Sequence, residues 1–66
     1  MSKYYLNVFD GVGECFHSSG YETLEEARAE YDQWRDIIYY PQFMRLANRE
    51  TGKMVQSFTG KRRNNN

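Results

Sequence analysis

The chain has 66 residues, of which 39% are hydrophobic and 17% aromatic, and its nine basic side chains balance its nine acidic ones. This length predicts one domain and excludes a large substrate cleft or a cofactor-binding fold. The apolar share indicates a folded chain, and no apolar run approaches the ~18 residues that a membrane span requires. A polar start unlike a signal peptide and a single cysteine, Cys15, predict a protein of the reducing cytoplasm.

The charge is distributed unevenly along the chain. Residues 10–36 carry eight acids and two bases, whereas residues 37–66 carry six bases and one acid. Such asymmetry bears on the partners of a protein rather than on its fold. A net charge of zero also favours self-association, so a homodimer is one expectation.

The first part of the chain is predicted to form two strands. Apolar and polar residues alternate over residues 3–9, which is typical of a strand with one buried face. Residues 10–13, Asp-Gly-Val-Gly, indicate a tight turn because glycine adopts positive φ without strain. A short second strand is predicted over about residues 14–18, before a Ser-Ser-Gly run. Cys15 and His17 lie two apart on it and are predicted to point to the same face.

A helix follows, with Thr23 as its N-cap and Glu26 completing a capping box. One apolar stripe then repeats every three or four residues, which predicts a buried helix face: Leu24, Ala27, Tyr31, Trp34 and Ile38. Pro41 is predicted to stop the helix. Four acids are predicted on its solvent-facing side: Glu25, Glu26, Asp32 and Asp36.

The last element predicted is a hairpin over residues 42–59, with its turn at residues 50–52 and Gly52 as the left-handed residue. Pairing Arg49 with Lys53 sets the register. This register places one set of side chains on the core face: Met44, Leu46, Met54 and Phe58. It places the other set on the opposite face: Phe43, Arg45, Ala47, Arg49, Lys53 and Val55.

These elements predict an α+β fold of order β-β-α-β-β, an antiparallel sheet with one helix packed on one face. Residues 1–60 are expected to form the single domain. Residues 61–66, which are basic and Asn-rich, are expected to form a disordered tail. The order of the strands within the sheet does not follow from the sequence.

The sheet face away from the helix is the first candidate binding surface. Its apolar members would be Tyr5, Phe9, Phe43 and Val55, ringed by basic side chains. Aromatic rings stack on bases and cationic side chains neutralise phosphates, so the pattern favours single-stranded nucleic acid. The candidate residues on this face are Tyr5, Phe9, Arg45, Arg49 and Lys53. The alternative is that the rings pack on their neighbours and the charges solvate the face, and a pI near 6.6 is low for a nucleic-acid-binding domain.

The acidic side of the helix is the second candidate surface. Glu25, Glu26, Asp32 and Asp36 could imitate a row of phosphates and occupy the basic groove of a nucleic-acid-handling protein. The alternative interpretation is an ordinary solvated helix face, which is what most charge runs are.

The sequence predicts no enzyme, metal site or cofactor site. Cys15 and His17 are a conceivable thiol and base, but no third residue to orient them is apparent. With Glu14 they make a poor set of zinc ligands. The glycines of residues 11–13 precede no helix, so they do not form a phosphate-binding loop.

The Thr-Leu-Glu-Glu-Ala-Arg helix start and the run from Phe43 to Lys53 resemble, in layout, very small phage and mobile-element proteins of the anti-CRISPR type. The resemblance covers about residues 20–58 and assigns no role to any residue. It implies a phage-encoded inhibitor that binds a host defence complex by protein–protein contact in the host cytoplasm. The alternative function is that of a small single-stranded nucleic-acid-binding protein.

Overall fold

In the computed structural model, which describes residues 2–62, four antiparallel strands form one sheet with one helix. The elements are β1 (Tyr4–Phe9), β2 (Cys15–Tyr21), α1 (Leu24–Arg35), β3 (Phe43–Asn48) and β4 (Met54–Thr59). This confirms the α+β class and the order β-β-α-β-β. The strand order across the sheet is β2-β1-β3-β4, so β1 and β3 are central. No helix in the described range is long and apolar enough to cross a membrane.

The core lies between the two central strands and α1. Leu6 of β1 lies opposite Leu46 of β3, and Val8 lies opposite Met44. All four side chains are fully buried. Alternate residues of a strand point to opposite faces, so these four form one continuous apolar surface beneath the helix. Ala27 and Tyr31 of α1 and Ile38 beyond it complete the core cluster.

The helix begins as the capping box predicts. The Thr23 hydroxyl accepts a hydrogen bond from the Glu26 N–H at 3.2 Å and donates to the Glu26 carboxylate at 3.0 Å. The predicted end is wrong, because α1 stops at Arg35, well before Pro41. The Ile38 N–H still bonds to the Trp34 carbonyl at 3.0 Å, and its side chain is buried. Ile38 therefore belongs to the apolar stripe without belonging to the helix.

β2 is longer than predicted and contains a β-bulge. It runs to Tyr21 because its Ser-Ser-Gly segment pairs with β1 rather than ending the strand. Val8 lies opposite His17 while Phe9 lies opposite Cys15, so Phe16 is the extra residue. The bulge allows the Phe16 ring to contact the Trp34 ring edge to face, with 6.0 Å between their centroids.

The second hairpin has the predicted turn and a register that changes partway. Gly52 adopts a φ of 73°, as predicted for the left-handed residue. Near the open end, Met44 lies opposite Phe58 as predicted. Near the turn, a bulge places Ala47 opposite Met54 and leaves Val55 as the extra residue. The pairing of Arg49 with Lys53 is therefore wrong, since the Lys53 carbonyl accepts from the Asn48 N–H at 2.9 Å.

The chain beyond β4 remains in contact with the domain. Gly60 is buried against the backbone of Tyr39, where a β-carbon would come within 2.5 Å of the Tyr39 carbonyl carbon. The Lys61 carbonyl accepts from the Tyr40 N–H at 2.9 Å, and the Arg62 guanidinium lies 4.5 Å from the Tyr40 ring centroid. Of the predicted tail, residues 63–66 lie outside the described residues.

Candidate functional site

The sheet face opposite α1, here called the open face, has no covering element among the described residues. Its centre is built from three directly opposed pairs of β1 and β3: Tyr5 with Ala47, Asn7 with Arg45, and Phe9 with Phe43. Side chains of directly opposed residues lie on the same face of a sheet. The two central strands therefore bring together residues that are nearly forty positions apart in the sequence.

Two stacked aromatic rings and one guanidinium form the middle of the open face. The Phe9 and Phe43 rings are nearly parallel, with 4.7 Å between their centroids and an interplanar angle of 11°. The Arg45 guanidinium carbon lies 5.5 Å from the Phe9 centroid and 5.6 Å from the Phe43 centroid. Both rings are half-buried and Arg45 is exposed. The result is an aromatic platform with a positive charge beside it.

Polar groups and a shallow groove border this platform. The Ser18 hydroxyl of β2 donates to the Asn7 side-chain oxygen at 2.7 Å. The groove, of about 170 Å³, runs toward the second hairpin. Its walls are formed by Tyr5, Asn7, Phe9, Arg45, Ala47, Gly52 and Met54. The open face thus offers stacking surface, an amide and a cation within one small area.

The predicted sheet-face residues are brought together with one exception. Tyr5, Phe9 and Arg45 lie on the open face. Arg49 pairs with Lys3 through an N–H to carbonyl bond of 2.8 Å, which continues the β1–β3 register and places both bases on the same side by alternation. Lys53 is displaced from this row because the bulge moves Met54 into the position opposite Ala47.

The four predicted helix acids lie on the other side of the molecule. Glu25, Glu26 and Asp32 are exposed on α1, and Asp36 is the exposed C-cap residue. The Arg35 guanidinium is 3.9 Å from the Asp32 carboxylate. An exposed pair at this distance contributes little to stability, so the surface keeps its acidic character. The sheet therefore separates a basic face from an acidic one.

The predicted placement of Cys15 and His17 on one face is wrong. The bulge at Phe16 puts Cys15 opposite Phe9 on the open face and His17 opposite Val8 on the helix side. The Cys15 thiol donates to the His17 carbonyl at 3.2 Å. The His17 ring contacts the Trp34 ring, and its Nε2 is 2.9 Å from the Ser19 hydroxyl. Within residues 2–62, no three His, Cys, Asp or Glu side chains cluster as a metal site.

The fold shifts the pKa of two phenols on the helix side. Burial raises the pKa of Tyr31, with Arg35 opposing the shift and Asp32 adding to it. Burial also raises the pKa of Tyr21, against a hydrogen bond from Ser19 and with a further contribution from Glu30. Both rings contact the core, so these shifts concern stability rather than the open face.

Three features of the open face were not predicted from the sequence. The predicted place of Met54 on the core face is wrong, because a bulge sets it opposite Ala47 and it lines the groove of the open face. Bulges leave no clear signal in a single sequence. The Asn7–Ser18 contact and the Phe9–Phe43 stack depend on which strands are neighbours. The strand order was the part of the fold that the sequence left open.

Comparisons with protein-family models, with curated proteins and with solved structures find no match to this chain.

Proposed function

We propose that the chain is a non-enzymatic binding protein whose open face binds single-stranded nucleic acid. The observation that carries the proposal is the Arg45 guanidinium beside the stacked Phe9 and Phe43 rings, on a sheet face that no described element covers. Sequence reasoning placed a protein target first. We place nucleic acid first because the aromatic platform and its arginine offer the two interactions that single-stranded nucleic acid uses most, stacking and charge.

The first of these interactions is stacking. Unpaired bases stack on aromatic rings and on the plane of an arginine guanidinium. Stacking on an aromatic ring contributes about 1–3 kcal/mol of binding free energy per base. Arg45 lies against the two rings on one side and is exposed on the other. The guanidinium and the platform therefore provide a surface on which one or two bases can stack. The Asn7 amide and the Ser18 hydroxyl lie beside it as hydrogen-bonding groups.

The second interaction is charge. Lys3, Arg45 and Arg49 lie on the open side, and the helix acids lie behind the sheet, where they oppose phosphate binding least. Three phosphate contacts on a single strand correspond to a slope of about −2 in log K against log salt concentration. The net charge of zero therefore does not exclude nucleic-acid binding, because a bound strand interacts with the local electrostatic potential of the open face.

The experiment is fluorescence anisotropy with labelled single- and double-stranded oligonucleotides at low salt and at about 0.15 M salt. Arg45→Gln is the test variant, and Arg28→Gln is its matched control because Arg28 is exposed on α1 and the change in net charge is equal. We expect Arg45→Gln to weaken single-strand binding about tenfold or more, and Arg28→Gln to leave it nearly unchanged. Absence of binding at low salt, or equal effects of the two variants, contradicts the proposal.

A second candidate function rests on the acidic side of α1. There the chain would be a phage-encoded inhibitor, active in the host cytoplasm, that occupies the nucleic-acid groove of a host complex. The supporting observation is the exposure of all four acids on one side of the molecule. Capture of a partner from a bacterial lysate tests it, with Glu25, Asp32 and Asp36 neutralised together. A specific partner lost on this change but kept with Arg45→Gln supports the inhibitor, whereas the reverse pattern contradicts it.

A further inference from the structure

We propose that the groove of the open face distinguishes the two purines and binds guanine in preference to adenine. This preference rests on the proposed function, since it concerns the base that a bound single strand places in the groove. It follows from the size of the groove and from the hydrogen-bonding groups that line it. Stacking and phosphate contacts do not supply such a preference, because every nucleotide can make them.

The groove has the size and lining of a site for one flat ring system. Its volume is about 170 Å³, whereas pockets for drug-sized ligands measure about 300–1,000 Å³. Tyr5 and Met54 supply apolar surface, and Asn7 and Arg45 supply polar groups. A base that lies with its flat surface on the apolar side chains can present its edge to the polar ones, and the edge is the part that differs between bases.

One hydrogen bond orients the Asn7 amide. Asn7 lies opposite Ser18 of β2 on one side and opposite Arg45 of β3 on the other. Its side-chain oxygen accepts from the Ser18 hydroxyl at 2.7 Å, so this oxygen points toward β2. The amide nitrogen lies on the other side of the same planar group. It therefore points toward β3 and the groove, whose lining includes Arg45 but not Ser18.

The polar side chains of the groove are therefore mainly hydrogen-bond donors. The Asn7 amide nitrogen offers only N–H groups, and an arginine guanidinium has several N–H donors and no acceptor. The groove lining contains no Asp or Glu side chain. The Tyr5 hydroxyl can donate or accept, so it suits either purine.

A pair of donors matches guanine better than adenine. Guanine has two neighbouring acceptors, O6 and N7, whereas adenine has the N7 acceptor beside an N6 amino donor. Directly opposed residues such as Asn7 and Arg45 lie about 4.5–5.5 Å apart at Cβ, so both can reach one base edge. An asparagine usually recognises adenine with its oxygen and nitrogen together. Here Ser18 holds the oxygen, so the amino group of adenine would face donors and lose a hydrogen bond.

Fluorescence anisotropy with three labelled oligonucleotides tests the preference. The first is a short single strand of adenines, and the second carries one central guanine. The third carries hypoxanthine at that place, which keeps O6 and N7 but lacks the 2-amino group of guanine. At about 0.05 M salt we expect the second and third strands to bind about tenfold more tightly than the first.

The outcomes separate this preference from the proposed function. Equal affinities for the guanine and adenine strands overturn the preference and leave single-strand binding standing. A hypoxanthine strand that binds only as well as the adenine strand also overturns it, because O6 and N7 would then not be the groups recognised. Absence of binding to all three strands overturns both.

Asn7→Asp is the sharpest variant, because it replaces the donor that faces the groove with an acceptor. The added negative charge weakens the binding of all strands alike, so the quantity measured is the ratio of guanine to adenine affinity. We expect this ratio to invert in favour of adenine. A ratio that favours guanine as strongly as in the wild type overturns the role of Asn7.

Ser18→Ala tests the positioning role of the hydroxyl. Without it the Asn7 amide can rotate and offer its oxygen to adenine, so we expect the preference for guanine to fall to about threefold. Ser19→Ala is the matched control, since Ser19 is the next residue of β2 but lies opposite Leu6 on the helix side. Its ratio should equal that of the wild type, and equal ratios in the two serine variants overturn the positioning role. Circular dichroism confirms the fold of each variant.

Discussion

Both faces of the sheet carry apolar side chains, but those of the covered face are buried by the helix and those of the open face are not. Leu6, Val8, Met44 and Leu46 on the covered face are fully buried beneath α1. Phe9 and Phe43 on the open face are half-buried although no described element lies over them. The covered face gains its burial from another element, whereas the open face gains it from the stacking of its own side chains. Stability and binding should therefore be separable by mutation.

The largest loss of stability is expected from a mutation on the covered face. Leu46→Ala deletes a fully buried side chain of β3 that lies opposite Leu6 of β1, and a loss of this kind costs about 2–5 kcal/mol in free energy of unfolding. Since small domains have total stabilities of about 5 kcal/mol, the variant should be largely unfolded at moderate urea. Urea denaturation followed by circular dichroism measures it. A cost below about 1 kcal/mol would show that the covered face is not the main core.

A smaller loss of stability is expected from a mutation on the open face. Phe43→Ala removes one ring of the stacked pair and part of the surface under Arg45, at a cost of about 1–2 kcal/mol. The same urea experiment gives the value, and the variant should remain folded. If the loss instead matches that of Leu46→Ala, the open face is a second core. Its rings would then be unavailable to a ligand, and the comparison of the two faces would fail.

The covered face could be predicted from the sequence more fully than the open one. The alternation of β1 and the helical stripe from Leu24 to Ile38 identify core residues by period alone. The arrangement of the open face depends on which strands are neighbours and on where bulges lie, and no local sequence pattern predicts either. The Phe9–Phe43 stack needs β1 beside β3, and Met54 needs a bulge at Val55. A bulge inverts the faces of every residue on one side of it, which is why Cys15 and Lys53 were misplaced.

The smallest effect concerns Tyr31, which reaches from α1 to β4 through its bond to the Ser57 carbonyl. Tyr31→Phe removes this hydrogen bond, and we expect it to lower the free energy of unfolding by about 0.5–1.5 kcal/mol near neutral pH. Burial raises the pKa of Tyr31 in the folded chain, so the folded state holds its phenolic proton more tightly than the unfolded state does. The wild type should be stable below the unfolded pKa of about 10 and lose stability as the pH rises above it.

Urea midpoints measured from pH 7 to about 11 test this linkage. The decline above pH 10 should be shallower in Tyr31→Phe but not absent, because burial also raises the pKa of Tyr21. Equal slopes in variant and wild type would mean that Tyr31 is no more buried than in the unfolded chain. In that case Tyr31 would not pack against β4. The contrast between a covered and an open face would then apply to only part of the sheet.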